Sequence, residues 1–133
     1  MFFMSRLTKL KSVLTGLVLT GLVATGWVQA KGPIPDGVQS TLPVAQLTEQ
    51  GRQMYALIYR GGPFVHEKDG TVFGNRERLL PSEKRGYYRE YTVATPGLKH
   101  RGTRRIVCGG QPTTPDTCYY TADHYASFRK IVP

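Results

Sequence analysis

The chain is short of acid, cysteine and histidine. Nine Asp and Glu stand against eighteen Lys and Arg, so the formal net charge is +9. Such a balance excludes a protein built to repel polyanions and points to an anionic partner or a solvated basic face. Two cysteines are too few for a disulfide-dense scaffold. No histidine stands at ligand spacing beside Cys108 or Cys118, which argues against a zinc site. Neither an internal repeat nor a low-complexity tract is present, so solenoids and biased linkers are set aside.

Long uncharged runs are scarce as well. The one that exists, Ser12 to Ala30, follows Arg6, Lys9 and Lys11 and ends in Val28-Gln29-Ala30. A positive start, an apolar middle and a small-residue end describe a secretory signal peptide over residues 1–30. Gly16, Gly21 and Gly26 weaken the alternative of a retained membrane helix. The expected product, residues 31–133, is a single domain that leaves the membrane after processing. It keeps +6 of the charge, nine minus the three cations of the leader. Export also favours pairing of the two cysteines, across a hairpin closed around residues 109–117.

Lys31 to Thr41 is rich in proline and glycine and reads as an arm. Ser40 or Thr41 can cap a helix with Pro43 in its first turn. Leu47, Gly51, Met54, Tyr55 and Ile58 follow helical spacing, and Gly61-Gly62-Pro63 stops it. Downstream, the β-rich segments are Tyr87–Val93, Thr103–Cys108, Cys118–Thr121 and Ser127–Val132. One main N-terminal helix followed by consecutive strands predicts an α+β domain, the helix packed on an antiparallel sheet.

The few acids and histidines then become conspicuous. Glu90 lies in Gly86-Tyr87-Tyr88-Arg89-Glu90-Tyr91-Thr92-Val93. Arg101 and Arg105 lie in Arg101-Gly102-Thr103-Arg104-Arg105-Ile106, and His124 in Tyr119-Tyr120-Thr121-Ala122-Asp123-His124-Tyr125. Alternate strand residues share a face, so Tyr88, Glu90 and Thr92 point one way and Arg89 the other. Pairing with Thr103, Arg105 and Val107 would set Glu90 beside Arg105. A carboxylate, an imidazole and fixed guanidinium forks are the groups that cleave RNA without a metal. One takes the ribose 2′-hydroxyl proton, one protonates the departing 5′-oxygen, and the cations hold the charged phosphorane-like state. A cationic RNA-binding protein without turnover is the alternative. It gives no reason for an acid at the centre of a phosphate site.

These strings, with Gly62-Pro63-Phe64, Asp69-Gly70-Thr71-Val72-Phe73-Gly74-Asn75-Arg76-Glu77, Leu80-Pro81 and Thr95-Pro96-Gly97, make the chain resemble the guanyl-specific microbial ribonucleases, in particular the small secreted type from streptomycetes. The resemblance runs from about Gly62 to Phe128. It implies that Glu90 is the general base and His124 the general acid, with Arg101, Arg105 and Tyr125 on the phosphate. It further implies that Glu77 accepts from the guanine Watson–Crick edge, that backbone amides at Asn75 and Arg76 donate to the guanine oxygen, and that Phe73 lies beside the base. The expected partner is single-stranded RNA, with no cofactor and no metal. A monomer is expected, secreted to periplasm or medium, whose Arg-rich face an acidic protein inhibitor can bind. The sequence departs from the family at Gly74, where relatives often have glutamine, and at Arg89, where they have histidine. It also lacks their end-to-end disulfide and has the pair Cys108–Cys118 instead.

Overall fold

The computed structural model describes residues 37–133. The expected signal peptide and the start of the arm lie outside the described residues. The elements are β1 (Val38–Pro43), a 3-10 turn (Val44–Gln46), α1 (Glu49–Arg60), β2 (Thr71–Val72), β3 (Tyr88–Thr92), β4 (Arg105–Gly110), β5 (Pro115–Thr121) and β6 (Phe128–Val132). They form one six-stranded sheet in the order β1-β6-β5-β4-β3-β2. The α+β class holds: one α-helix packs on the sheet. From β2 to β6 every pairing is antiparallel, but β1 joins β6 in parallel, so the sheet is mixed. Among the described residues no helix is long and apolar enough to cross a membrane.

The start of the helix differs from the sequence expectation. The cap is Thr48, whose Oγ1 accepts from Gly51 N at 3.0 Å, and not Ser40 or Thr41. Val38–Pro43 is a strand because pairing with β6 outweighs its local turn chemistry. Pro43 ends an edge strand, where its missing N–H costs little. Glu49 and Arg60 sit at the ends that the helix dipole favours for their charges. Gly61 closes the helix at φ +78°, a left-handed turn that glycine adopts without strain.

The sheet buries two faces. On the helix side lie Leu42, Ile58, Tyr91, Val93, Ile106 and Ile131, with the cystine. The other side holds Val38, Leu80, Tyr88, Val107, Tyr119 and Phe128. The alternation along β3 and β4 explains the split, since Tyr91 and Ile106 face one way and Tyr88 and Val107 the other. In β1 a bulge between Val38 and Ser40 shifts the register, so Val38 and Leu42 serve opposite cores.

Cys108 and Cys118 are bonded and face each other in register across β4 and β5, with Cα atoms 4.1 Å apart. Closing a loop of this length restrains the unfolded chain by about 3 kcal/mol in the chain-entropy account. On the other face of the same hairpin, Gly109 lies under Tyr87. A Cβ there would overlap the ring, so only glycine lets the tyrosine cross β4. Tyr87 then reaches Asp116 of β5, donating its hydroxyl proton at 3.1 Å.

Candidate active site

Glu90 is the centre of the helix-free face. Its side chain is 13% exposed. Arg101 Nη2 reaches its Oε1 at 3.2 Å, and the Tyr125 hydroxyl donates to its Oε2 at 2.6 Å. The sequence expectation set Glu90 beside Arg105, and the register corrects it. Glu90 pairs with Val107 and Thr92 with Arg105, so Arg105 shares the face but lies one step along it. Arg101, arriving from the loop after β3, makes the ion pair instead. Arg89 turns to the opposite face and donates to the Gly70 carbonyl at 2.8 Å.

The two arginines are held differently. Arg101 Nε donates to Thr92 Oγ1 at 2.9 Å, which aims its fork along the sheet. Arg105 is 3% exposed. Its Nη1 donates to the Arg104 carbonyl at 2.8 Å and the Arg101 carbonyl at 3.4 Å, while Nε is buried without a partner. Its guanidinium carbon stands 5.9 Å from the centre of the Tyr125 ring, within cation–π range. Both cations are therefore anchored before any ligand arrives, which spares their ordering cost.

His124 and Tyr125 come from the turn between β5 and β6. Both have positive φ, +54° and +70°, a region that costs ordinary residues energy unless the surroundings enforce it. Three side chains do so. Thr121 Oγ1 accepts from Tyr125 N at 3.1 Å and donates to Asp123 Oδ1 at 2.8 Å. Asp123 also accepts from Ser127 N at 2.9 Å and Ser127 Oγ at 2.5 Å. These bonds, that to the Ser127 hydroxyl above all, hold the Asp123 carboxyl below its usual range. His124 N donates to the Thr103 carbonyl, which ties this turn to the arginine loop. Burial, then the hydrogen bond to Glu90, pushes the Tyr125 phenol up to about 12. It therefore remains a donor at neutral pH. The sequence reading missed Thr92, Thr121, Asp123 and Ser127. The Thr-x-Asp-x-x-x-Ser spacing around His124 was the available signal for the last three, since such side chains cap tight turns.

A cleft of about 700 Å³ opens on this face. Glu90, His124 and Tyr125 line one end, and Phe73, Asn75, Arg76 and Glu77 line the other. Phe73 stacks on Tyr125, ring centres 5.0 Å apart and planes at 25°, and so joins the two ends. Both polar atoms of the Asn75 side chain are engaged. Its Nδ2 donates to the Leu80 carbonyl at 3.0 Å and its Oδ1 accepts from Leu80 N at 3.2 Å. With φ +49° at Asn75, this clasp shapes the loop 75–80 and turns it around Glu77. Arg101 and Arg105 flank the Glu90 end, Arg101 through its contact with Glu90 and Arg105 through the Tyr125 ring. Among the described residues, no three His, Cys, Asp or Glu side chains gather as a metal-binding group.

The ribonuclease family model matches residues 29–132. That span includes every residue of the cleft. The chain belongs to the ribonuclease family. It is 54% identical over 85 residues to the guanyl-specific ribonuclease Sa3 of Kitasatospora aureofaciens, covering 64% of this chain and 58% of that protein's length. With guanyl-specific ribonuclease Sa of the same organism it shares 48% identity over 94 residues, 71% of this chain and 95% of the relative. Among solved structures, ribonuclease Sa2 with guanosine-2′-cyclophosphate superposes with a TM-score of 0.64. The identity is 44%, over 71% of this chain and 96% of that one. The α+β fold and the family expected from the sequence are thus both found.

Proposed function

We propose that this ribonuclease cleaves single-stranded RNA on the 3′ side of guanosine, in two steps. The observation that carries the reading is the Glu90 carboxylate, fixed between Arg101 and Tyr125 in one cleft with His124 and with the Phe73–Glu77 loop. A binding protein would be penalised by an acid there. A transphosphorylase needs a base, and the carboxylate can serve as one.

In the first step Glu90 accepts the proton of the guanosine 2′-hydroxyl. The 2′-oxygen attacks phosphorus, and the bond to the 5′-oxygen of the next nucleotide breaks. His124 gives that oxygen its proton, and a 2′,3′-cyclic phosphate remains. In the second step His124 takes a proton from water, whose oxygen attacks the cyclic phosphate. Glu90 returns a proton to the 2′-oxygen, leaving a 3′-phosphate. Arg101 and Arg105 stabilise the charge that gathers on the phosphoryl oxygens. Tyr125 keeps Glu90 oriented and contacts the same phosphate. No step calls for a metal.

Guanine selection belongs to the other end. Guanine presents two donors on one edge, and the Glu77 carboxylate is an acceptor of matching kind. The backbone amides at Asn75 and Arg76 supply donors to its oxygen, and Phe73 supplies a face for stacking. Gly74 gives this loop no side chain where members of the resembled family often have glutamine. The enzyme is a secreted monomer, released from a leader over residues 1–30, with the domain at 31–133. An acidic protein inhibitor fits its arginine face. Digestion of a defined RNA, with and without EDTA, tests the reading. Cuts after guanosine in both samples support it. Cuts after all bases would remove the role given to Glu77, and loss of cutting in EDTA would remove the metal-free mechanism.

A further inference from the structure

A second cavity, of about 570 Å³, lies against the same loop. The strip from Val72 to Arg76 lines both it and the catalytic cleft. Its outer wall is Glu83, Lys84, Arg85 and Gly86, with Tyr88 behind. Arg76, Lys84 and Arg85 are exposed, and none makes an ion pair among the described residues. Three cations against one acid, Glu83, make the cavity electropositive. At Gly74 the lip between the two cavities carries no side chain. A Cβ built there would touch only the Arg76 side chain, at 3.6 Å.

The direction of the cavity follows from β3. Thr92 holds Arg101, Glu90 is the base, and Tyr88 walls the second cavity, so all three share a face. Successive residues on one face of a strand stand about 7 Å apart. The second cavity thus lies beyond the guanine loop, on the side away from Arg101. On the proposed function the scissile phosphate sits at Arg101 and Arg105, which assigns the leaving nucleotide to that end. With the leaving group assigned to that end, the chain on the 5′-oxygen of the guanosine is assigned to the opposite side of the base loop, where the second cavity lies.

We propose that this cavity is a subsite for the nucleotide on the 5′ side of the cleaved guanosine. Lys84 and Arg85 attract its phosphate across the low lip at Gly74. The inference rests on the ribonuclease reading and adds a preference for internal over 5′-terminal guanosines.

The test compares GpU with UpUpGpU in the native enzyme and in the double variant Lys84→Ala/Arg85→Ala. Both residues are exposed, so the fold should tolerate the change. The native enzyme should show a kcat/KM about fivefold higher on the longer substrate, the scale of two or three exposed charge contacts. The variant should cut GpU at the native rate and lose the advantage of the longer one. Its salt dependence on UpUpGpU should flatten by roughly 0.7 in log–log slope for each phosphate that is no longer held. An advantage of equal size in both proteins, or equal loss on both substrates, would overturn the subsite. Failure of the native enzyme to cut GpU at all would instead overturn the ribonuclease reading.

Discussion

Thr92→Val isolates one hydrogen bond of the site. Thr92 is 2% exposed, and its Oγ1 accepts the Arg101 Nε proton at 2.9 Å. Valine keeps the shape and removes the acceptor. A hydrogen bond to a charged group is worth about 1.5–3 kcal/mol. The Arg101 side chain is 27% exposed, so water recovers part of this, and about 1–1.5 kcal/mol is left to be lost. If Arg101 serves the transition state, that loss lowers kcat by about five- to thirteenfold. KM should move less, because Arg101 retains its link to Glu90 Oε1 at 3.2 Å. Valine also gains apolar packing in place of the hydroxyl, so the melting temperature should hold within a few degrees. Steady-state kinetics on GpU with a thermal melt decides the matter. A kcat within twofold of native, in a variant of native stability, would refute the claim that Thr92 aims Arg101. Thr92→Ser keeps the acceptor and should recover most of the rate.

Replacing Glu90 by Gln or His124 by Ala should cost about 10²–10⁴ in rate, measured on the same dinucleotide. The native rate should be bell-shaped in pH, since one group acts ionised and its partner protonated; a flat profile would count against the pair. Changing Cys108 and Cys118 together to serine should lower stability by about 3 kcal/mol, read from urea unfolding, with the chemistry intact. Asp123 titrates below the ordinary carboxylate value of 3.8. Its contribution is therefore present above that pH and lost as the pH falls through the folded value. Asp123→Asn should remove this acid-side component, and carboxyl NMR should show the native group still ionised at pH 3.8.

Legibility of the sequence followed the range of the forces. Strand alternation along Tyr88–Thr92 and the glycine stop at Gly61 are local, and both were readable. The Cys108–Cys118 bridge followed from short separation and the expected compartment. The β1 strand was not readable, because Val38–Pro43 takes its conformation from β6, about ninety residues away. The partner of Glu90 was missed for a related reason. Alternation fixes the face of a strand residue, whereas register is fixed by the whole pairing. The αL conformations of His124 and Tyr125 have no signature of their own. Their cause, the Thr121–Asp123–Ser127 set, could have been found by asking what holds a histidine between two strands.

The mixed sheet has a consequence for synthesis. Among the described residues the first strand, β1, pairs only with the last, β6. While the ribosome is still adding residues, β1 has no neighbour and its edge stays open. Domains generally fold as units, and this sheet closes only when β6, which ends at Val132, is present. Phe128 of β6 also lines the catalytic cleft, so an unfinished chain lacks part of the site. The same strand thus completes the sheet edge and the cleft, so any chain lacking β6 loses the partner of β1 and a wall of the site together.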